Sequence, residues 1–139
     1  MEKRRCGMNA KKTVQLTVET QDKVGMLEKV SSAIADSGAN ITAVCAYGMQ
    51  GKAIFMVTTS DSKKAASALR EKGFQAKEDE VVEVKLENSA GMLGKMGSKL
   101  AGAGINLKYI YGTVADGAKE ASLVFASNQN DKAIELLKQ

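Results

Sequence analysis

One stretch of this chain occurs twice. Residues 16–69 return as 82–137, and the loop Asp22-Lys23-Val24-Gly25-Met26-Leu27 returns as Asn88-Ser89-Ala90-Gly91-Met92-Leu93. Ser32, Ala35, Gly38 and Asn40 return as Ser98, Ala101, Gly104 and Asn106, all at a constant offset of 66 residues. Beyond a two-residue insertion near 115–119, Lys64, Ala65 and Leu69 return as Lys132, Ala133 and Leu137. A repeat this long is a duplicated small domain and not a solenoid unit. Units of roughly 65 residues are near the lower limit of independent stability, so each needs the other, or a partner chain, to cover its apolar surface. Small-molecule sites favour interfaces between domains, and a duplication builds one.

Two hydrophobic periods alternate inside the repeat. Val14, Leu16 and Val18 alternate with Gln15, Thr17 and Glu19, as in a half-buried strand. After Gly25, Leu27, Val30 and Ile34 recur at helical spacing, and Ser37-Gly38 ends that helix. Residues 41–47 and 53–59 form a hairpin about a turn at 48–52. Ser60 or Asp61 caps a second helix from about 62 to 72, with Ala65, Ala68 and Leu69 inward. Gly73 stops it, and 74–80 can form a fourth strand, running almost directly into 81–86. In the second copy Val82, Val84 and Leu86 alternate, and Leu93, Met96 and Leu100 make the helical stripe. Strands at 107–114 and 121–127 flank Asp116-Gly117, and a last helix runs from about 130 to 138.

These patterns predict an α+β fold of two ferredoxin-like βαββαβ units, with antiparallel sheets and helices on one face. The expected divisions are a basic flexible tail at 1–12, a first domain at 13–80 and a second at 81–139. The second unit lacks a clear fourth strand, so either the chain is trimmed there or another segment fills that edge. An open edge at 82–86 invites pairing, and a two-fold homodimer is expected from it.

The net charge of +4 sits wholly in the first twelve residues, where Lys3, Arg4, Arg5, Lys11 and Lys12 outnumber Glu2. The rest of the chain is neutral, so the charge case for a nucleic-acid partner rests on a short tail. That tail is expected to be disordered, with Met8 as an alternative start. There is no histidine, which removes the usual general base and the commonest transition-metal ligand. Cys6 and Cys45 form neither a disulfide framework nor a metal motif, and Cys45 reads as a small buried hydrophobe. No apolar run approaches the roughly 18 residues of a membrane span, and residues 1–12 lack the apolar stretch of a secretory signal. Cytoplasm is the default compartment, and no cofactor or metal is called for.

The repeated loop is the candidate site. Asp22 or Asn88 stands three residues before a glycine that permits close backbone approach or a positive φ. The helix that follows begins with unpaired amides, a ready site for a carboxylate. Asp22 or Asn88 can accept from an ammonium, and Asn40 and Asn106 at the second strands offer a donor and an acceptor each. Together these groups describe a free α-amino acid. The plainer alternative is that the glycines turn the chain, Asp22 and Asn88 cap helices, and Asn40 and Asn106 follow the helix-stop glycine. Met26 and Met92 read more readily as core filler, and Tyr109 and Tyr111, which share one strand face, as ordinary packing.

On these motifs, with Ser37-Gly38-Ala39-Asn40-Ile41 and Ala103-Gly104-Ile105-Asn106-Leu107, residues 13–137 resemble a tandem pair of ACT domains. They are most similar to small bacterial proteins made only of two such domains. The resemblance implies regulatory amino-acid binding, with the strand-one/helix-one loop of one domain facing the second strand of a neighbour. It implies as site residues Asp22, Lys23, Val24, Gly25, Met26, Leu27, Asn40 and Ile41 in the first unit. In the second they are Asn88, Ser89, Ala90, Gly91, Met92, Leu93, Asn106 and Leu107. The family usually carries proline immediately before the loop glycine; Val24 and Ala90 stand there, and the chain has no proline. An extra amide is thereby freed.

A non-catalytic amino-acid-binding module is the reading the sequence favours. A nucleic-acid-binding module shares the βαββαβ order but stacks bases on exposed sheet aromatics, and residues 53–59 carry only Phe55. A purely structural or interaction domain is the other alternative. An enzyme fits poorly. Arg70 is the only arginine beyond the tail, no Cys-x-x-Cys loop exists, and Asp22 has no acid–base partner near in sequence.

Overall fold

A computed structural model describes residues 7–138. The strands are β1 (Met8–Gln21), β2 (Ile41–Met49), β3 (Lys52–Thr59), β4 (Ala76–Glu87), β5 (Leu107–Thr113) and β6 (Glu120–Ser127). The helices are α1 (Met26–Asp36), α2 (Ser62–Glu71), α3 (Met92–Gly102) and α4 (Asn130–Lys138). They divide into a first unit, Val14–Asp79, and a second made of Glu80–Gln139 with the chain up to Thr13. The division cuts through β1 and β4, so each of these strands serves both units.

In the first unit the strand order is β2-β3-β1-β4. β1 runs antiparallel to β3 with Leu16 opposite Val57 and Gln21 opposite Lys52, and β2 pairs the other side of β3. Leu16, Val18, Phe55 and Val57 point to one face and meet Val30, Ile34 and Leu69 of the helices. The fully buried large side chains are worth about 1.5–3 kcal/mol each, which makes this cluster the main stabilising term. Phe55 is part of that core, so it is not an exposed platform for base stacking. Asp61 caps α2, its carboxylate accepting from the Lys64 N–H at 3.2 Å.

The second unit repeats the design with its fourth strand taken from the other end of the chain. No strand follows α4 among the described residues; the place beside β4 is filled by Met8–Thr13, the first half of β1, giving the order β1-β4-β6-β5. It runs antiparallel, with the Gly7 carbonyl accepting from the Glu87 N–H at 2.8 Å and Lys11 facing Glu83 at 3.9 Å. Met8 and Ala10, only 8% and 2% exposed, join Val82, Val84, Leu86 and Phe125 in the core. Residues 8–12 are therefore strand and not flexible tail, because alternate side chains there have a core to enter. The basic residues Lys3, Arg4 and Arg5 lie outside the described residues. Lys12 is an ion-pair partner, 2.9 Å from Asp131 and 3.7 Å from Glu80, and the hydrogen bond to Asp131 holds its amine above the usual lysine range.

Pairing on both sides of β4 also removes the open edge expected at 82–86. The edge strands are β2 and β5. Cys45, on β2, is half-buried and not fully buried. The helical stripes differ from the expected ones by one residue: Met26, Val30, Ala33 and Ile34 are buried in α1, and Met92, Met96 and Leu100 in α3. Leu27 and Leu93 are exposed. The first helical residue after each glycine takes the inward position, and the i+4 spacing from it sets the phase.

Candidate functional site

The two strand–helix loops share one backbone design. Gly25 and Gly91 immediately precede α1 and α3 with φ of +92° and +89°. A side chain at that conformation is strained by about 1–2 kcal/mol. Their carbonyls accept from the N–H groups of Lys29 at 3.1 Å and Lys95 at 3.0 Å, closing the first turns. Neither helix has a side chain bonded over its start. The N–H groups of Met26 and Met92 meet the Lys23 and Ser89 carbonyls at 3.4 and 3.3 Å, and the amides that follow them in the first turn stand at the positive end of the helix dipole. A Cβ placed at either glycine would meet nothing within 4 Å, so the approach is open.

The side chains of the two loops are employed differently. Asn88 is tied into the β5–β6 turn: its Nδ2 donates to the Ala118 carbonyl and its N–H to the Lys119 carbonyl, both at 2.8 Å. The Asp22 N–H donates to the Gly51 carbonyl at 3.1 Å in the corresponding β2–β3 turn. Its carboxylate lies over Gly48, where a Cβ would come within 2.6 Å of Oδ2. Asp22 forms no ion pair among those of the described residues. It is an exposed carboxylate four residues before the start of α1.

Asp22, Lys23, Val24, Gly25 and Leu27 lie together on the surface, as do Asn88, Ser89, Ala90, Gly91 and Leu93. Val24 is fully exposed. Met26 and Met92 turn into the cores. In the second unit the loop borders a cleft of about 220 Å³, walled by Leu86, Ser89, Met92, Leu93 and Val114 among others. Larger grooves of about 530 and 400 Å³ in the first unit lie over α1 and α2, lined by Asp36, Lys64, Ser67 and Lys72 among others, and do not include the Asp22 loop.

Asn40 and Asn106 are not beside these loops within a unit. Gln21 and Met49 both stand opposite Lys52, so the Asp22 loop sits at the far end of β2 from Ile41. Nine residues of strand separate the two, roughly 25 Å at the usual rise. Asn40 instead joins β2 to the end of β3: its N–H donates to Ser60 Oγ, and its carbonyl accepts from the Ser60 N–H, both at 2.9 Å. Asn106 and Leu107 occupy the matching end of β5, opposite Ser127. The residues sequence reasoning missed are Gly48 and Gly51, together with the Ala118 and Lys119 carbonyls. Only the hairpin pairing brings these beside the loops.

A family model described as an ACT domain pair matches residues 12–139. The chain belongs to that family. Among solved structures, the ACT pair is similar to a protein from Bacteroides thetaiotaomicron, with 29% identity and a TM-score of 0.85 over 94% of this chain and 89% of that one. It is also similar to the regulatory subunit of aspartate kinase from Thermus thermophilus in its ligand-free form, with 16% identity and a TM-score of 0.65 over 94% of both chains. The regulatory subunit from Thermus flavus compares at 17% identity and 0.64, again over 94% of both. At that distance the aspartate kinase subunits share the fold. No curated protein matches the ACT pair significantly. No described helix is long and apolar enough to cross a membrane, and no three described His, Cys, Asp or Glu side chains cluster as a metal site.

Proposed function

We propose that this ACT pair is a non-catalytic regulatory module that binds a free α-amino acid at its strand–helix loops. The Asp22 carboxylate, without an ion-pair partner among the described residues and beside the uncapped start of α1, carries the reading. Its carboxylate takes the ligand ammonium, and the amides of Leu27 and Glu28 take the ligand carboxylate. Lys23, Val24 and Gly25 frame that site; Ser89, Ala90, Gly91 and Leu93 frame its counterpart. Similarity of fold to aspartate kinase regulatory subunits supports a sensor over an enzyme. A thermal-shift screen of the common free amino acids tests it. One at about 100 times its dissociation constant stabilises by roughly 2.7 kcal/mol, a rise of several degrees. Unchanged melting with every amino acid at millimolar concentration, and no heat by calorimetry, would remove the amino acid from this proposal.

Gly48 supplies a second test. Gly48→Ala places a methyl group where the Asp22 carboxylate rests, at an exposed position. Binding of the amino acid found in the screen is expected to fall several-fold with little change in melting temperature. Binding equal to the wild type would place the ammonium elsewhere.

The module is proposed to work as a homodimer. β2 is an edge strand that leaves Val44, Tyr47 and Met49 exposed, an apolar edge open to pairing. Asn40 with Ile41, and Asn106 with Leu107, stand far from the loop of their own unit, so they enter a ligand site where their second strand meets a loop other than that one. Light scattering at micromolar concentration should give twice the chain mass of 14.7 kDa. A monomer that still binds ligand would show that the site needs no second chain.

A further inference from the structure

The N-terminal strand touches both ends of the second loop. The Gly7 carbonyl accepts from the N–H of Glu87, the residue before Asn88. A Cβ on Gly7 would lie 2.9 Å from Glu87 Oε1 and 3.0 Å from Cε of Met92, the residue after Gly91. Gly7 itself has φ +72°, a conformation that glycine alone adopts without strain. Met8, next along, is buried in the same cluster as Met92. The first loop is held differently: among the described residues the equivalent of Gly7 has nothing within 4 Å of its Cβ position and no backbone hydrogen bond to residues 21–27, and Phe74 packs on the cluster that holds Met26. At the offset of the repeat, Gly7 corresponds to Gly73, which follows α2 with its N–H on the Arg70 carbonyl, and β4 begins only at Ala76.

We propose that the N-terminal strand is a strap on the second loop, with Gly7 as the positioning residue that holds Asn88–Gly91 for its ligand. The first loop responds to ligand by itself; the second responds only when the strap is docked. By reciprocity, a ligand that orders the second loop tightens residues 8–13 by the same free energy. The ligand half of this proposal rests on the amino-acid reading above. The strap does not.

Hydrogen exchange of the full chain, read by mass spectrometry, tests both. In Gly7→Val the amides of residues 88–92 should exchange about five- to tenfold faster, with β6 and residues 22–27 unchanged. Wild-type exchange at 88–92 would overturn the strap. Should Gly7→Val unfold the unit, a chain beginning at Met8 decides, since it loses the Gly7 carbonyl and keeps Met8 and Ala10. Faster exchange confined to 88–92 supports the strap, and anything else overturns it. The ligand arm uses the common free amino acids at millimolar concentration on the wild type. Any that protects 88–92 must also protect 8–13; protection of the loop alone overturns the coupling. If none protects either loop, the amino-acid reading fails, and exchange in the variants alone judges the strap.

Discussion

A chain that begins at Val14 is expected to keep its first unit folded and to lose its second. The first unit retains its strands, Val14–Gln21 of β1 and the start of β4. The second loses Met8 and Ala10 from its core and the pairing partner of one side of β4. Removing a buried methionine side chain costs about 2–5 kcal/mol, and each lost strand hydrogen bond adds roughly 0.5–1.5. The sum rivals the roughly 5–15 kcal/mol by which a whole domain is stable. Hydrogen exchange should show protection lost across α3, β5 and β6 while α1, β2 and β3 keep theirs. The bared edge of β4 should also promote aggregation. Equal protection of both units in this variant would show that Met8–Thr13 is dispensable, against the burial of Met8 and Ala10.

Asp22→Ala is expected to weaken amino-acid binding by roughly 10- to 100-fold, the worth of one charge-assisted hydrogen bond. The exposed carboxylate makes no ion pair among the described residues, so melting without ligand should barely move. Asn88→Ala should behave in the opposite way. It deletes the bond to the Ala118 carbonyl and lowers stability by about 1 kcal/mol, with a smaller effect on affinity. Calorimetry paired with denaturant unfolding separates the two. A greater loss of affinity at Asn88 than at Asp22 would assign the ammonium to the second loop.

The duplication was legible because its punctuation is strict. Glycines, short polar residues and apolar spacings recur at one offset, and two periods of hydrophobicity named the strands and helices in order. The loops were legible for the same reason: Asp22-x-x-Gly25 and Asn88-x-x-Gly91 sit where a strand ends and a helix starts. The phase of α1 was not. Met26 and Leu27 are adjacent apolar residues, and only packing on the sheet chose Met26 for the core.

Residues 8–12 read as tail and not strand because charge masks alternation. In Gly7-Met8-Asn9-Ala10-Lys11-Lys12 the basic residues dominate, yet Gly7, Ala10 and Lys11 match Gly73, Ala76 and Lys77 at the same offset of 66. The signal was present and short. The sequence by itself determined two βαββαβ units and the strand–helix loop in each. Tertiary structure alone decided that the strand missing after α4 comes from the N-terminus. Local periodicity specifies that a segment is a strand, while its partner is chosen by backbone pairing between residues far apart in sequence. The same long-range pairing set Gly48 under Asp22 and placed Asn40 at the other end of the sheet. Helix α1 carries the chain away from the loop before Asn40 is reached, and β2 then returns from Asn40 towards the loop end.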